Sequence, residues 1–214
     1  SGEYAAVTNS AGHTTQYTYT PQQLTCINPL NSDTVTFTSY YVEQIDYPDG
    51  SSESYTYYDD GNIKTRTDQV GQTWTYEYNH RGQVSRLINP VNGVKEYTYN
   101  PDGTLASSTD SDLGVTTYGY DAYLRQTQVT HPDGHTTHTT FNLNDRTTAT
   151  TDERNNTTTY QYDPNGNLQY VVDAYGKQTT YTFNTMDLVW QTTDRRGNTA
   201  TETYDEMNRL ETIT

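Results

Sequence analysis

Short runs in which bulky and small polar side chains alternate, such as Tyr55-Thr56-Tyr57, Tyr76-Glu77-Tyr78 and Tyr97-Thr98-Tyr99, punctuate this chain. Clusters of Asn, Asp and Gly separate them. A period of two belongs to an extended strand, whose side chains point alternately to two faces. The runs themselves recur: Tyr57, Tyr78, Tyr99, Tyr120, Phe141, Tyr162, Phe183 and Tyr204 follow one another at intervals of 21 residues without insertion or deletion. Self-similarity at a fixed period marks a repeat architecture and must be settled before any single residue is read.

Aligning the repeats exposes further columns. Two residues before each ladder aromatic stands a second one, Tyr55, Tyr76, Tyr97, Tyr118, Tyr160 and Tyr181, with Thr139 and Glu202 as exceptions. After the ladder comes Asn or Asp (Tyr58 is the outlier), then Gly61, Gly82, Gly103 and Gly166 three residues on, replaced elsewhere by Leu124, Asp145, Asp187 and Asn208. An apolar column of Ile63, Val84, Leu105, Leu168, Val189 and Leu210 follows, broken by Gln126 and Thr147. Asp68, Asn89, Asp110, Asp152, Asp173 and Asp194 close the unit, with His131 in the gap, and in all but the Asp152 repeat a glycine follows three or four residues later. Asx-x-x-Gly ends a strand because the short polar side chain bonds the local backbone while glycine accepts positive φ.

Two turns in 21 residues leave room for two short strands, so each repeat is a hairpin. The expected fold is all-β: about twenty antiparallel strands in tandem hairpins, forming one long, twisted and curved sheet. Residues 51–214 form the regular array and residues 1–50 a degenerate version, in which Tyr17 and Tyr19 repeat the aromatic pair and Phe37 is the next rung. Gly82, Gly103 and Gly166 are expected at positive φ, and the Leu124 turn is expected to differ in type from its neighbours. The ladder is expected to form a continuous stack with its neighbours two residues before.

Composition changes the picture at one point. Few aliphatic residues and a net charge of −15 would suggest disorder. The 22 tyrosines answer that, because each buries as much area as an aliphatic core residue and keeps a polar tip. The acidic balance and the scattered 12 basic residues argue against nucleic acid. No run approaches the apolar length that crosses a bilayer, and no signal peptide is visible. Cys26 is alone, so no internal disulfide can form. Ser1-Gly2 reads as a cloning remnant, and the stop at Thr214, inside a repeat, as the end of an excised piece.

Candidate chemistry is sparse. Equivalent residues of neighbouring repeats lie roughly 9.6 Å apart, too far to cooperate, so the recurring aspartates form a line along a rim and act as turn formers. No Asp-x-Asp-x-Asp-Gly calcium loop occurs. His131, His135 and His138 invite a metal reading, but the turn and the strand alternation let at most two converge, whereas zinc takes three or four protein ligands. No catalytic, cofactor or metal site is expected, and the chain is read as a non-enzyme.

Tyr160-Gln-Tyr162-Asp163-Pro-Asn-Gly166-Asn-Leu168 followed by Asp173-Ala-Tyr-Gly176 resembles the Rhs or YD repeat. The likeness is strong over 51–214 and weak over 1–50. That family includes bacterial Rhs polymorphic toxins, cocoon components of Tc insecticidal toxins, and teneurins. The resemblance implies a spiral β-shell that encloses a C-terminal toxin. The family's self-cleaving core segment and toxin domain are missing here, so neither activity carries over. The implied function is structural: a wall segment, exported to the cell surface or secreted, whose partners are the rest of the shell and its cargo. The raw edges of an excised array imply self-association or curvature. The alternative is a carbohydrate-binding or adhesion module that stacks glycans on its Tyr and Trp rings, Trp74 and Trp190 among them.

Overall fold

A computed structural model describes residues 3–27 and 34–214, with side-chain surroundings for 5–21 and 38–214. Cys26 and Phe37 fall outside the latter, and Ser1-Gly2 outside both. The fold is all-β, with nineteen strands among the described residues. The first compact unit covers residues 1–100 and 108–114. It contains β1 (Glu3–Thr8), β2 (Thr14–Ile27), β3 (Thr34–Asp46), β4 (Ser52–Tyr57), β5 (Ile63–Thr67), β6 (Thr73–Tyr78), β7 (Val84–Ile88) and β8 (Val94–Tyr99). Each strand pairs antiparallel with the next.

After β9 (Leu105–Thr109) the second unit, residues 101–107 and 115–214, repeats the plan. Its strands are β10 (Val115–Tyr120), β11 (Gln126–Thr130), β12 (Thr136–Phe141), β13 (Thr147–Thr151), β14 (Thr157–Tyr162), β15 (Leu168–Val172), β16 (Gln178–Phe183), β17 (Val189–Thr193), β18 (Thr199–Tyr204) and β19 (Leu210–Ile213). They too form a meander of consecutive antiparallel pairs.

The two hairpins of a repeat differ. Where the ladder aromatic meets the returning strand the register shifts by one residue, as at Glu77/Tyr78, Thr140/Phe141 and Thr182/Phe183. The second hairpin runs without a shift, as in Arg66↔Trp74 and Thr67↔Thr73. A bulge of this kind adds one residue, sharpens the local twist and disrupts the ladder of main-chain bonds. The same shift occurs at Thr18/Tyr19 in the long β2–β3 pair, which makes Tyr19 a true rung. Phe37 sits opposite Leu24 in unshifted pairing and is not one.

The turns whose main-chain bonds are described share one geometry. The first residue's amide donates to the carbonyl four residues on, and the amide three residues on donates back, as in Asn79 N–H to Gln83 O and Gly82 N–H to Asn79 O. The fourth residue has positive φ: 75° at Gly82, 95° at Gly103 and 92° at Gly166, and 60°, 58° and 62° at Asp145, Asp187 and Asn208. Leu124, expected to differ, does not. Its φ is 62° and its amide donates to Asp121 O like the others. The turn is enforced by its Asp121 cap and flanking strands, which override leucine's aversion to this region. In the second set, Gly93 and Gly114 are one place too late, and Asn92 and Leu113 take the left-handed position instead.

No apolar side chain is buried among the described residues, and Ser108 is the one buried residue, 3% exposed. The ladder columns are half-buried. Each unit is a single layer, stabilised between neighbours and not around a centre.

Candidate functional site

Two sets of side-chain contacts organise the array: caps within each turn, and joints from one repeat to the next. In the caps, Oδ1 of the first residue accepts the amides two and four residues on. Asp68 takes Val70 and Gln72; Asp152 takes Arg154 and Asn156; Asp173 takes Tyr175 and Lys177; Asp194 takes Arg196 and Asn198. Where the first residue is Tyr47, Tyr58 or His131, the carboxylate moves two places along. Asp49, Asp60 and Asp133 then accept the amides of Ser51, Asn62 and His135. The turn opened by Asp110 uses Asp112 in the same way, towards Gly114, while Asp110 meets Lys95 Nζ at 3.0 Å. Hydrogen bonds to the charged form favour it. They hold Asp152 and Asp194 below the usual carboxylate range, chiefly through Asn156 and Asn198, and Asp121 through Arg125.

The joints come in two kinds. In the first, a ladder tyrosine's hydroxyl reaches back to a carbonyl fifteen residues earlier, in the column of the bulge. Tyr57 donates to Val42 O at 2.6 Å, Tyr99 to Val84 O at 2.6 Å, Tyr162 to Thr147 O at 2.9 Å and Tyr204 to Val189 O at 2.7 Å. Tyr120 engages the backbone of Leu105 likewise. Burial pushes the hydroxyls of Tyr57, Tyr78, Tyr99 and Tyr120 up in pKa.

The expected continuous stack is replaced by these bonds. Residues two apart on a strand, and rungs two strands apart, are roughly 7 and 9.6 Å from each other, so a ring lies across the neighbouring strand instead. Ring contacts do occur between Tyr41 and Tyr57 at 5.0 Å and between Tyr58 and Tyr78 at 6.2 Å. Tyr58, the outlier of its column, also donates to Tyr76 O at 3.0 Å and so joins its repeat to the next.

The second kind serves the two repeats whose ladder residue is phenylalanine and has no hydroxyl to give. Ahead of Phe141, Arg125 chelates Asp121 in its own turn and reaches forward to Asn142 O at 2.7 Å and Asp145 Oδ1 at 2.8 Å. Its guanidinium lies 4.8 Å from the Phe141 ring centre. Ahead of Phe183, Asn167 and Asn165 donate to Asp187 Oδ1 at 2.7 and 3.0 Å. Thus Asp145 and Asp187, the acidic substitutes for glycine, accompany Phe141 and Phe183. Where Arg146 instead faces Gly166, a Cβ there would collide with the guanidinium, which lies over Tyr162. This coupling between residues twenty apart was missed in the sequence reading, though it is visible in the aligned columns.

No part of this converges on a reaction. His131, His135 and His138 go to three partners: Glu153 at 3.2 Å, Asp133 at 3.0 Å and Thr136 at 3.2 Å. Among the described residues no group of three His, Cys, Asp or Glu could hold a metal ion. A cleft of about 420 Å³ is lined by Tyr58, Asp59, Asp60, Glu77, Tyr78 and Asn79. Its carboxylates serve the fold: Asp60 accepts the Asn62 amide, and Glu77 meets Arg86 at 3.2 Å.

Hairpins joined repeat to repeat and capped at their turns, without a convergent polar centre among the described residues, define a β-repeat wall. The RHS Repeat family matches residues 57–94, 99–136 and 141–178, more than half of the chain, and the chain belongs to that family. Among solved structures it is similar to TcdB2-TccC3-Cdc42 (TM-score 0.67, 12% identity) and TcdB2-TccC3 (0.62, 12%); in each case 98% of this chain and 15% of the other are covered. The Photorhabdus luminescens Tc holotoxin pore, carrying a TccC3 mutation, is also similar (0.53, 14% identity, 94% and 14% covered). The chain therefore spans about 15% of the length of the structures it matches. None of the curated proteins matches it.

Proposed function

We propose that this chain is a structural segment of an exported shell whose wall encloses a cargo, a toxin or another domain of the parent protein. The observation that carries this reading is that the described residues hold no apolar core, while the repeats from Tyr57 onward are stapled each to its neighbour. Such a sheet confines by steric exclusion, its backbone groups saturated by strand pairing, and has no chemistry to perform. Its partners are the rest of the wall and the enclosed cargo.

Protease treatment of the intact parent tests this. The cargo should survive until the wall opens, and should be digested sooner when Tyr99→Ala and Arg125→Ala are combined. A cargo cut as fast inside the parent as when free would refute containment. A second reading, glycan stacking, draws on the exposed rings of Tyr123, Tyr175 and Trp190. Binding on a glycan array that disappears with Trp190→Ala would support it.

A further inference from the structure

Guanidinium groups cover the ladder rings of two repeats: Arg125 lies 4.8 Å from the Phe141 ring centre, and Arg146 lies 5.6 Å from that of Tyr162. Both arginines stand in one column, directly after the left-handed residue of a turn. Tyr41 falls in the same column, at whole multiples of the 21-residue spacing before them. It reaches forward as they do. A Cβ at Gly61 would collide with the Tyr41 hydroxyl, as one at Gly166 would collide with Arg146. The Tyr41 ring stands against the ladder ring of Tyr57, with centres 5.0 Å apart and planes inclined by 35°. No guanidinium lies over Tyr57 among the described residues, and a second aromatic wall stands there instead.

A cleft of about 250 Å³ is lined by these two rings, by Tyr55 and Pro21, and by Glu43. The three rings are half-buried and Glu43 is exposed. Glu43 Oε2 accepts the Thr20 hydroxyl, and the carboxylate has no cationic partner among the described residues. The nearby cation, Arg66, is held by Glu53 at 3.2 Å and is no part of the lining. The hydroxyls of Tyr55 and Tyr57 are spent on Glu53 and on Val42 O. Two of the rings therefore offer a guest their faces and not their donors. Ring faces carry the negative side of the quadrupole, and several of them around a carboxylate make a cage for a cation.

We propose that this cleft binds a small organic cation, an alkylammonium or guanidinium group, against the rings of Tyr41, Tyr55 and Tyr57 and paired with Glu43. The array's own arginines supply such a group at Phe141 and Tyr162; here it comes from outside the chain. The space is smaller than the roughly 300–1,000 Å³ of pockets for larger ligands, so one compact group fills it. The site stands whether or not the wall encloses a cargo, and it uses none of the exposed rings on which glycan stacking would draw.

Choline and N-methylguanidinium, titrated into the full chain, test this, with neohexanol as the uncharged carbon isostere of choline. Both cations should produce saturable shifts in the amide resonances of β3 and β4, and neohexanol should bind far more weakly than choline. Glu43→Gln and Tyr41→Ala should each weaken binding about fivefold, the worth of one half-exposed ion or cation–π contact. Tyr41→Phe, which keeps the ring, should keep the affinity. If Tyr41→Ala disturbs the turn at Gly61, the exposed Glu43→Gln decides alone. Absence of saturable shifts, neohexanol binding as tightly as choline, or unchanged affinity in Glu43→Gln would each overturn the proposal.

Discussion

Replacing Tyr99 separates the two contributions of a ladder rung. Its hydroxyl donates to Val84 O at 2.6 Å, and its ring is half-buried over the adjoining strand. Tyr99→Phe removes only the hydrogen bond, a loss of about 1 kcal/mol, because the Val84 carbonyl stays near solvent. Tyr99→Ala also exposes about 100 Å² of ring surface, at about 25 cal/mol per Å², so the expected loss is about 3 kcal/mol. In a repeat array stability is a sum over units and their interfaces. Urea unfolding should therefore be read together with hydrogen exchange of β7 and β8, where the loss should concentrate. The sign with pH follows from the raised hydroxyl pKa, caused chiefly by burial. The stabilisation is complete below the ordinary tyrosine value of about 10 and is lost as pH rises through the folded value, and Tyr99→Phe should remove that share of alkaline loss. A cost below about 0.5 kcal/mol for Tyr99→Ala, the range of plain surface changes, would refute the rung. So would equal costs for Phe and Ala, which would leave the ring no role.

Three further outcomes are expected. Acid should weaken the turns: the lowered carboxylates of Asp152 and Asp194 give stability that is present above the unfolded carboxylate range and lost as pH falls through their folded values. The urea midpoint of an Asp152→Ala, Asp194→Ala variant should fall less than that of the unmodified chain as pH drops through the carboxylate range. Leu124→Gly should gain up to about 1 kcal/mol by relieving left-handed strain, whereas Leu124→Val should lose stability; thermal melts of the three proteins decide. In the swap series, Asp187→Gly should lower the melting temperature, and adding Phe183→Tyr should restore it by supplying the hydroxyl joint; a double variant no better than Asp187→Gly would break the link between the two positions.

Fold class was legible because the information is redundant. A two-residue period with Asx-x-x-Gly punctuation at a constant 21-residue spacing leaves one architecture, and single departures such as Thr139 or Leu124 do not disturb it. The site was less legible. Columns identify which residue types recur, but not which neighbour each touches. Tyr-x-Tyr suggested a stack, although strand geometry keeps the rungs too far apart for one. The glycine that follows the column of Asp68 and Asn89 also misled. At Asn89 and Asp110 the turn's length is fixed by its hydrogen bonds, so Asn92 and Leu113 take the strained position while Gly93 and Gly114 fall outside it.

Phenylalanine in the ladder and aspartate at the turn are one phenomenon. A repeat needs a polar tie to its predecessor, because a single layer with half-buried columns has too little apolar contact to fix its neighbour's position. Tyrosine supplies the tie from the middle of the strand, through its hydroxyl and the bulge carbonyl. When the ladder residue is Phe141 or Phe183 that donor is gone, and the tie moves to the turn, where Asp145 or Asp187 receives Arg125 or Asn167 from twenty positions earlier. The aspartate's cost in the left-handed region is offset by that bond, and the phenylalanine adds a ring for the Arg125 cation. Where Tyr58 replaces the usual Asn or Asp, its own hydroxyl bridges to Tyr76 and a third solution serves the same end. The columns look degenerate one at a time because each joint is made by a pair of positions in successive repeats.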